Sequence, residues 1–511
     1  MVRMNKSSFE CKPFIYLVSV VLALCFCFDT TQETLRNPAY LFALAVLVIV
    51  FFTRRGKIDV SNISPIYIIL AVGTLIKIFY VLYTAIWTRQ HDVIDFGVGE
   101  GHAGYIEYIY YNNALPAGDP REKWAFFQPP LHHIISAIWM KVCNKFGLAY
   151  RQLQENIQGL TLFYSAGTVF LSYFICKELG LKERGQKAAL LLISFHPVFI
   201  LMSGSINNDA LSLFLMIFAL YILILWYKRP TCGYILLLAL SLGLSMFSKL
   251  SGGLLAPAAA ALFFCKFVKE KEKRGSLFLQ YVLFGLIVFP LGIGWELRNM
   301  KHFGMPFNYI PPVGEQLVKT DLFSRLLDLR LHTVYPAMIN NGDSYDEYNV
   351  FLAMLKTSLF DDSNFGLKSG LLTPIAVLLF ASAVILSLIC LYATIVTGKR
   401  AVKEFVKRHQ PEEGEAADNR PETAPELTLM LTVFYLTMLI AYFSFALGSP
   451  NYSAESFRYI SPAVIVQAVF LGLYTEDRIG TGTRGERVIY ALELIFAASS
   501  ALLYTLLGCI G

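Results

Sequence analysis

Charge is scarce in this sequence. Asp, Glu, Lys and Arg together make up 16% of its 511 residues, against 56% hydrophobic residues. Such a chain has too little polar surface to enclose one water-soluble core, and its apolar runs approach the ~20 residues that cross a bilayer. Cysteine offers no framework either. Nine are present, but Cys25, Cys27, Cys176, Cys232, Cys265, Cys390 and Cys509 fall in or beside apolar runs, Cys11 lies near the amino terminus and Cys143 stands by itself. With no CxxC or zinc-like spacing, a disulfide-built ectodomain is excluded. No Walker motif, nucleophile elbow or Rossmann unit is found, so cytoplasmic nucleotide chemistry has no support. The net charge of +6 is scattered over short loops between apolar runs, where orientation in the membrane accounts for it and no nucleic-acid partner is implied.

What is present is a succession of apolar runs, which predicts an all-α polytopic membrane protein with about 13 transmembrane helices. The first run, Phe14 to Phe28, follows Arg3, Lys6 and Lys12 like a signal peptide but lacks a small-residue cleavage site, and reads as a retained anchor. Every second connection is basic: "TRRGK" from Thr53, "CKELGLKERGQK" from Cys176, "YKRP" from Tyr227, "CKFVKEKEKRG" from Cys265, "TGKRAVKEFVKRH" from Thr397 and "EDRIGTGTRGER" from Glu476. The positive-inside rule assigns these connections and the amino terminus to the cytoplasm. The charged stretch "RHQPEEGEAADNRPETAPE" reads as a flexible cytoplasmic connector.

One further segment, Gln128 to Gly147, is nearly apolar enough to span. Counting it would invert the alternation of every later loop. His132, His133, Lys141 and Lys145 alternate there with Ile134, Ile135, Ile138 and Trp139, so it is expected as an amphipathic helix on the outer interface, entered from the turn at Pro129 and Pro130. The chain then divides into two extra spans at 1–64, a membrane core at 65–300 with an outer loop at 88–154, a second outer loop at 301–370, and carboxyl-terminal spans at 371–511.

Of eight histidines only His409 falls on the expected cytoplasmic side, which places any chemistry outside. Directly after a span comes "WTRQHDVIDFGVGEGHAGYIEYIYY", Trp87 to Tyr111, with Asp92 and Asp95 ahead of three glycines that let the chain fold back. Beyond them His102, Tyr105, Ile106 and Ile109 share a helical face. Asp209 in "SGSINNDALSLFL" suits a site acid or a helix cap. Lys249 in "MFSKLSGG" and Arg458 in "SFRYISP" suit anion binding or snorkelling at span ends. Of His132 and His133, which point to different faces, His133 is favoured as the one that meets substrate. Glu296 and Arg298 in "WELRN" are expected to form a structural pair at the outer edge, and Asn451-Tyr452-Ser453 is a glycosylation sequon on the outer side. A polar pocket floored by bilayer suits a substrate with a lipid tail and a polar head.

In these features the sequence resembles the GT-C superfamily of membrane glycosyltransferases, and within it the protein-O-mannosyltransferase and aminoarabinose-transferase branch. The resemblance rests on an acid in the first outer loop ("QHDV"), a Pro-Pro-Leu interfacial helix ("FFQPPLHH"), an acid in the next outer turn, the Lys of "MFSKLSGG" and the Arg-Tyr of "SFRYISP", and is strongest over residues 65 to 300. It departs from that branch in having His91 before Asp92 and Val93 after it, where an Asp-Glu pair is common. The resemblance implies inverting transfer of a mannose-like hexose from a polyprenyl- or dolichyl-phosphate donor to a hydroxyl on a protein or glycan acceptor. Asp92 is then the general base, and Asp95, His102, His133, Asp209, Lys249 and Arg458 bind substrate. No cofactor is required, though a divalent cation is compatible. The host membrane would be the plasma membrane or the endoplasmic reticulum, with the site on the outer or lumenal face. The competing readings are a lipid-linked glycan ligase or polymerase, and a lipid or sugar transporter, which would place its ionisable groups near the midplane.

Overall fold

The structure, a computed structural model, describes residues 64–86, 88, 93–312, 320–336, 347–363, 365, 369–409, 424–449 and 451–510. The two spans expected before residue 64, and Asp92, lie outside the described residues. Within them the chain is helical, with no strand.

Local chemistry marks the helix boundaries. The first helix, α1 (Pro65–Tyr83), begins with proline at its first position after Ser64, whose hydroxyl accepts from the Ile66 amide at 3.4 Å. Two helices outside the spans follow, α2 (Gly101–Asn112) and α3 (Leu131–Lys145); the short α4 (Tyr150–Glu155) begins the apolar span that runs on to Glu178. Next come α5 (Ile157–Glu178), α6 (Glu183–Phe195) and α7 (Pro197–Gly204). Proline has no amide hydrogen for the helix ladder, and the chain bends by 45° between α6 and α7 at Pro197. The central hairpins are α8 (Asp209–Lys228), α9 (Cys232–Ser248), α10 (Ala256–Lys269) and α11 (Arg274–Phe303). The second outer segment carries α12 (Leu322–Leu327) and α13 (Val350–Phe360), and the chain continues through α14 (Leu372–His409), α15 (Pro425–Gly448), α16 (Pro462–Arg478) and α17 (Arg484–Ile510). A second bend, of 47°, precedes α16 at Pro462.

Eight of the described helical spans are long and apolar enough to cross a membrane, or ten if each bent pair is one span, and α9 is a shorter apolar helix. The expected total of about 13 includes the spans before residue 64. Burial sorts them. The windows of α5 and α8 are each 83% buried and form the centre, whereas that of α11 is 17% buried and presents Phe278, Leu279, Leu286 and Phe289 outward. A helix apolar on all sides and central needs helical neighbours all round; one exposed on most of its apolar surface needs lipid.

Successive spans run in opposite directions, which gathers their ends at two poles. At one pole Arg184, from the start of α6, donates to the Ile479 carbonyl just past α16 at 2.5 Å, and Arg400 of α14 pairs with Asp477 at 2.6 Å. These belong to the basic connections. At the other pole the start of α8 meets the end of α9, where Asn208 donates to the Ser248 carbonyl at 2.8 Å.

The second pole also holds α3. A His132 ring nitrogen lies 2.7 Å from the Ile206 carbonyl oxygen, and the Trp139 indole donates to the Asn156 carbonyl at 3.0 Å. Both contacts reach segments at the same end of the bundle, so α3 lies across it. Ile138, Val142 and Phe146 stand four residues apart and are exposed, one apolar stripe on an amphipathic helix.

The fold-back before α2 depends on glycine. Gly101 has φ +70°, and a Cβ there would stand 2.3 Å from the Val93 carbonyl oxygen, so any side chain would break the approach that lets Val93 accept from the Ala103 amide at 2.9 Å. Gly99, Gly101 and Gly104 share the GxGxxG spacing of dinucleotide sites, but no strand precedes them.

Candidate active site

Asp209 opens α8 and is 7% exposed. Its carboxylate does not cap the helix. One oxygen is bonded to the Lys249 ammonium, and the other lies 3.8 Å from Nε of Arg458. Lys249 immediately follows α9, and Arg458 sits in the short helical turn Phe457–Ile460 ahead of α16. Tyr459 braces both cations: its ring centroid lies 4.9 Å from the Lys249 nitrogen and 5.1 Å from the Arg458 guanidinium, which donates to its hydroxyl at 3.1 Å. Two cations meet one carboxylate here, in a partly dehydrated setting. Among the described residues these two cations share the Asp209 carboxylate, and the pairing holds both side chains in place beforehand.

Beside it opens a cavity of about 620 Å³ whose wall includes Lys249, Tyr459, Gln128, Glu296, Tyr309 and Asn451. Trp124, Phe127 and Phe445 supply much of its apolar lining. Two bonds hold the Gln128 side of the wall. The Trp295 indole donates to the Phe127 carbonyl at 3.1 Å, and Asn208 donates to the Gln128 side-chain oxygen at 3.3 Å.

The histidines form a separate layer behind this wall. A nitrogen of His102 lies 2.8 Å from one of His133, Tyr105 stacks on His133 with centroids 4.1 Å apart, and neither histidine lines the cavity. His132 and His133 are both fully buried and His102 is 3% exposed. Burial, with the neighbouring histidines and, for His102, the Lys249 and Arg458 charges, holds His102 and His133 well below the usual histidine range; burial holds His132 at about 4, opposed by its bond to Ile206 and the charge of Asp209. A neutral pair can share one hydrogen between the facing nitrogens, whereas protonating both rings would set two donors against each other. Folded pKa values below the unfolded value near 6.5 mean that this stability is present above about pH 6.5 and is lost as the pH falls toward the folded values. The thermal midpoint of the purified protein is therefore expected to drop between pH 7 and pH 5, with a shallower drop in His133→Gln; equal slopes in parent and variant would contradict it.

Asp95 stands elsewhere. It is exposed and lines a second hollow, of about 610 Å³, with Phe96, Arg151 and Gln154. Asp92 lies outside the described residues, but the next residue, Val93, is 3% exposed and bonded to α2 beside His102.

One expectation needs correction. Glu296 and Arg298 do not pair. Arg298 donates to the Asn299 side chain at 2.8 Å and to the Pro116 carbonyl at 3.2 Å, with its guanidinium 4.5 Å from the Trp295 ring centroid, while Glu296 turns into the cavity wall. A side chain two positions along a helix points about 200° away, so the two cannot share a face. The sequon residue Asn451 is 8% exposed and its side chain accepts from the Ser453 amide at 3.1 Å. Gln128, Tyr459 and Glu296 are functional candidates that sequence reasoning did not assign. The first two were visible only as neighbours of motif residues, in "FFQPPLHH" and "SFRYISP". No group of three or more His, Cys, Asp or Glu able to hold a metal occurs among the described residues.

Comparison with known proteins bears out the resemblance: residues 128–295 match the family described as dolichyl-phosphate-mannose-protein mannosyltransferase. That range contains Gln128, His132, His133, Asp209 and Lys249 and ends one residue before Glu296. Among solved structures, the chain is similar to the archaeal oligosaccharyltransferase AglB from Archaeoglobus fulgidus in complex with an inhibitory peptide and a dolichol-phosphate, with 13% identity, a TM-score of 0.44, and coverage of 87% of this chain and 55% of that one. It is also similar to ArnT from Cupriavidus metallidurans in the apo state, with 12% identity, a TM-score of 0.48, and coverage of 86% and 76%. The chain thus spans about half the length of the oligosaccharyltransferase. No curated protein matches it.

Proposed function

We propose that the protein is a membrane glycosyltransferase that moves a hexose, mannose-like, from a polyprenyl- or dolichyl-phosphate carrier to a hydroxyl of a protein or glycan on the outer or lumenal face. The observation that carries this reading is the meeting of Lys249 and Arg458 at one carboxylate, with Lys249 also in the wall of an aromatic-lined cavity at the bundle's end. A phosphate held there keeps its lipid in the bilayer and its sugar in the cavity.

The chemistry follows from what each bond needs. As the acceptor oxygen attacks the anomeric carbon, the carbon–oxygen bond to phosphate breaks and the electron pair leaves with the phosphate, whose added charge Lys249 and Arg458 offset. The phosphate leaves without a strong acid. The acceptor proton goes to a carboxylate, the role proposed for Asp92, and one displacement inverts the anomeric centre. Asp209 anchors the two cations, and the neutral His102 and His133 layer backs the wall without adding positive charge.

Purified protein supplied with a panel of polyprenyl-phosphate sugars and candidate acceptors is expected to release free polyprenyl phosphate together with glycosylated acceptor. Lys249→Ala and Arg458→Ala should each lower kcat/KM for the donor by roughly 10- to 100-fold, the loss of one charged hydrogen bond. Arg458→Lys should recover only part, since a point charge does not reproduce a planar fork. Unchanged donor use in both alanine variants would return these residues to membrane anchoring. Movement of intact sugar lipid across a bilayer without phosphate release would favour a transporter instead.

A further inference from the structure

Glu296 is an acid buried without a cation. It is 6% exposed, lies near the end of α11, and among the described residues makes no ion pair with a lysine or arginine, although Arg298 is two residues away. The backbone of Asn308, in the chain that follows α11, lies near its carboxylate. Glu296 belongs to the wall of the 620 Å³ cavity that also contains Lys249. A carboxylate offers about four acceptor positions. Most of them are left to water while the cavity is open and to the occupant when it is filled. Burying such a group without new donors is costly. Whatever fills the cavity must bring hydrogen-bond donors to Glu296.

We infer that Glu296 is the specificity carboxylate of this cavity, accepting hydrogen bonds from hydroxyl groups of the transferred sugar, at the end of the ring remote from the phosphate. This inference rests on the glycosyltransferase reading above. Two features on the same wall favour a hydroxyl-bearing sugar. The rings of Trp124, Phe127 and Tyr309 give flat apolar surfaces for the C–H face of a pyranose, and Gln128 adds an amide able both to donate and to accept. Charge orders the occupant as well. The anionic phosphate is drawn to Lys249 and Arg458 and repelled by Glu296, so the neutral end of the donor is the end that reaches the carboxylate. Glu296 is a positioning and specificity residue and takes no proton in the reaction.

The test uses the full-length protein and three kinds of donor: a polyprenyl-phosphate hexose that the parent accepts, its monodeoxy analogues lacking one remote hydroxyl at a time, and the corresponding amino sugar. The parent should use at least one deoxy donor roughly 10- to 100-fold less well, because a site built to bond a hydroxyl is left with an unmet charge when that hydroxyl is missing. Glu296→Gln should lose a similar factor with the full hexose and little more with that deoxy donor, so that the preference collapses toward unity. A merely structural role would lower use of both donors alike and leave the preference intact. Parent protein that treats every deoxy donor like the full hexose overturns the inference without any variant, as does a parent that prefers the amino sugar, which would make Glu296 an ammonium site. If the parent transfers no sugar from any donor, the functional reading falls and this inference with it; if it transfers sugar and Glu296→Gln keeps the parental preference, only this inference falls.

Discussion

Replacing Asp92 by Asn is expected to cut sugar transfer by on the order of 10²-fold or more while donor binding is largely kept, because the amide retains size and hydrogen bonding but cannot accept the acceptor's proton. The case rests on position as well as chemistry. Val93, the next residue, is buried and bonded through its carbonyl oxygen to the start of α2, one residue beyond His102. His102 in turn lies close enough to Lys249 and Arg458 for their charges to act on it. The chain from Val93 onward therefore lies at the pole that holds the cationic cluster. The neighbouring acids should behave differently. Asp95→Asn is expected to cost less than about threefold, since an exposed carboxylate on a separate hollow has no reacting group to serve. Asp209→Asn should weaken donor use and thermal stability together by removing the anion that Lys249 and Arg458 share. Single-turnover rates of the three variants with one donor separate these outcomes. Near-parental transfer by Asp92→Asn, alongside inactivity of Asp95→Asn or Asp209→Asn in a stably folded form, would move the base to the other acid.

Glu347→Ala is expected to destabilise the protein by about 3–5 kcal/mol. The side chains of Glu347 and Lys356 are both fully buried and ion-paired to one another. Lys356 also donates to the Arg330 carbonyl at 3.0 Å and to the Thr333 hydroxyl at 2.8 Å, and Glu347 accepts from the Asn349 amide at 3.0 Å. Removing the carboxylate leaves an ammonium group in a dry site, a cost far above that of losing an exposed pair. Replacing both partners, Glu347→Leu with Lys356→Met, should restore most of the loss, because no charge is then left buried. Unfolding in detergent followed for the single and double variants measures this. A single variant as stable as the parent would show that water reaches the pair.

The consequence extends to the cavity. A second buried pair, Arg325 to Glu455 at 2.7 Å, joins α12 to the turn before α16, and Arg325 also donates to the Ala446 carbonyl at the end of α15. The hydroxyl of Tyr442, which lines the cavity, lies 3.0 and 2.9 Å from the carbonyl oxygens of Val350 and Glu455, which share its one hydrogen. These contacts pin the second outer segment against the cavity wall. Glu347→Ala should therefore lower donor use as well as stability.

Much of the architecture is written along the chain. Each long apolar run declares a helix, and the basic connections mark one pole of the bundle, because hydrophobic length and the placement of positive charge are written locally in the sequence. That was enough to gather Asp209, Lys249 and Arg458 at one pole and to keep Gln128 to Gly147 out of the bilayer count. Rotation of each helix about its axis is a different matter. It depends on how α8, α9 and α11 pack together, and no single span encodes it.

For that reason only the tertiary structure decided that His133 meets His102 across 31 residues of sequence rather than lining the cavity. It likewise decided that Tyr459 braces both cations, that Asn451 turns inward, and that Glu296 leaves Arg298 to enter the cavity wall. Side-chain pairing between helices is fixed by the angle and register at which their surfaces interlock, and those are properties of the packed bundle.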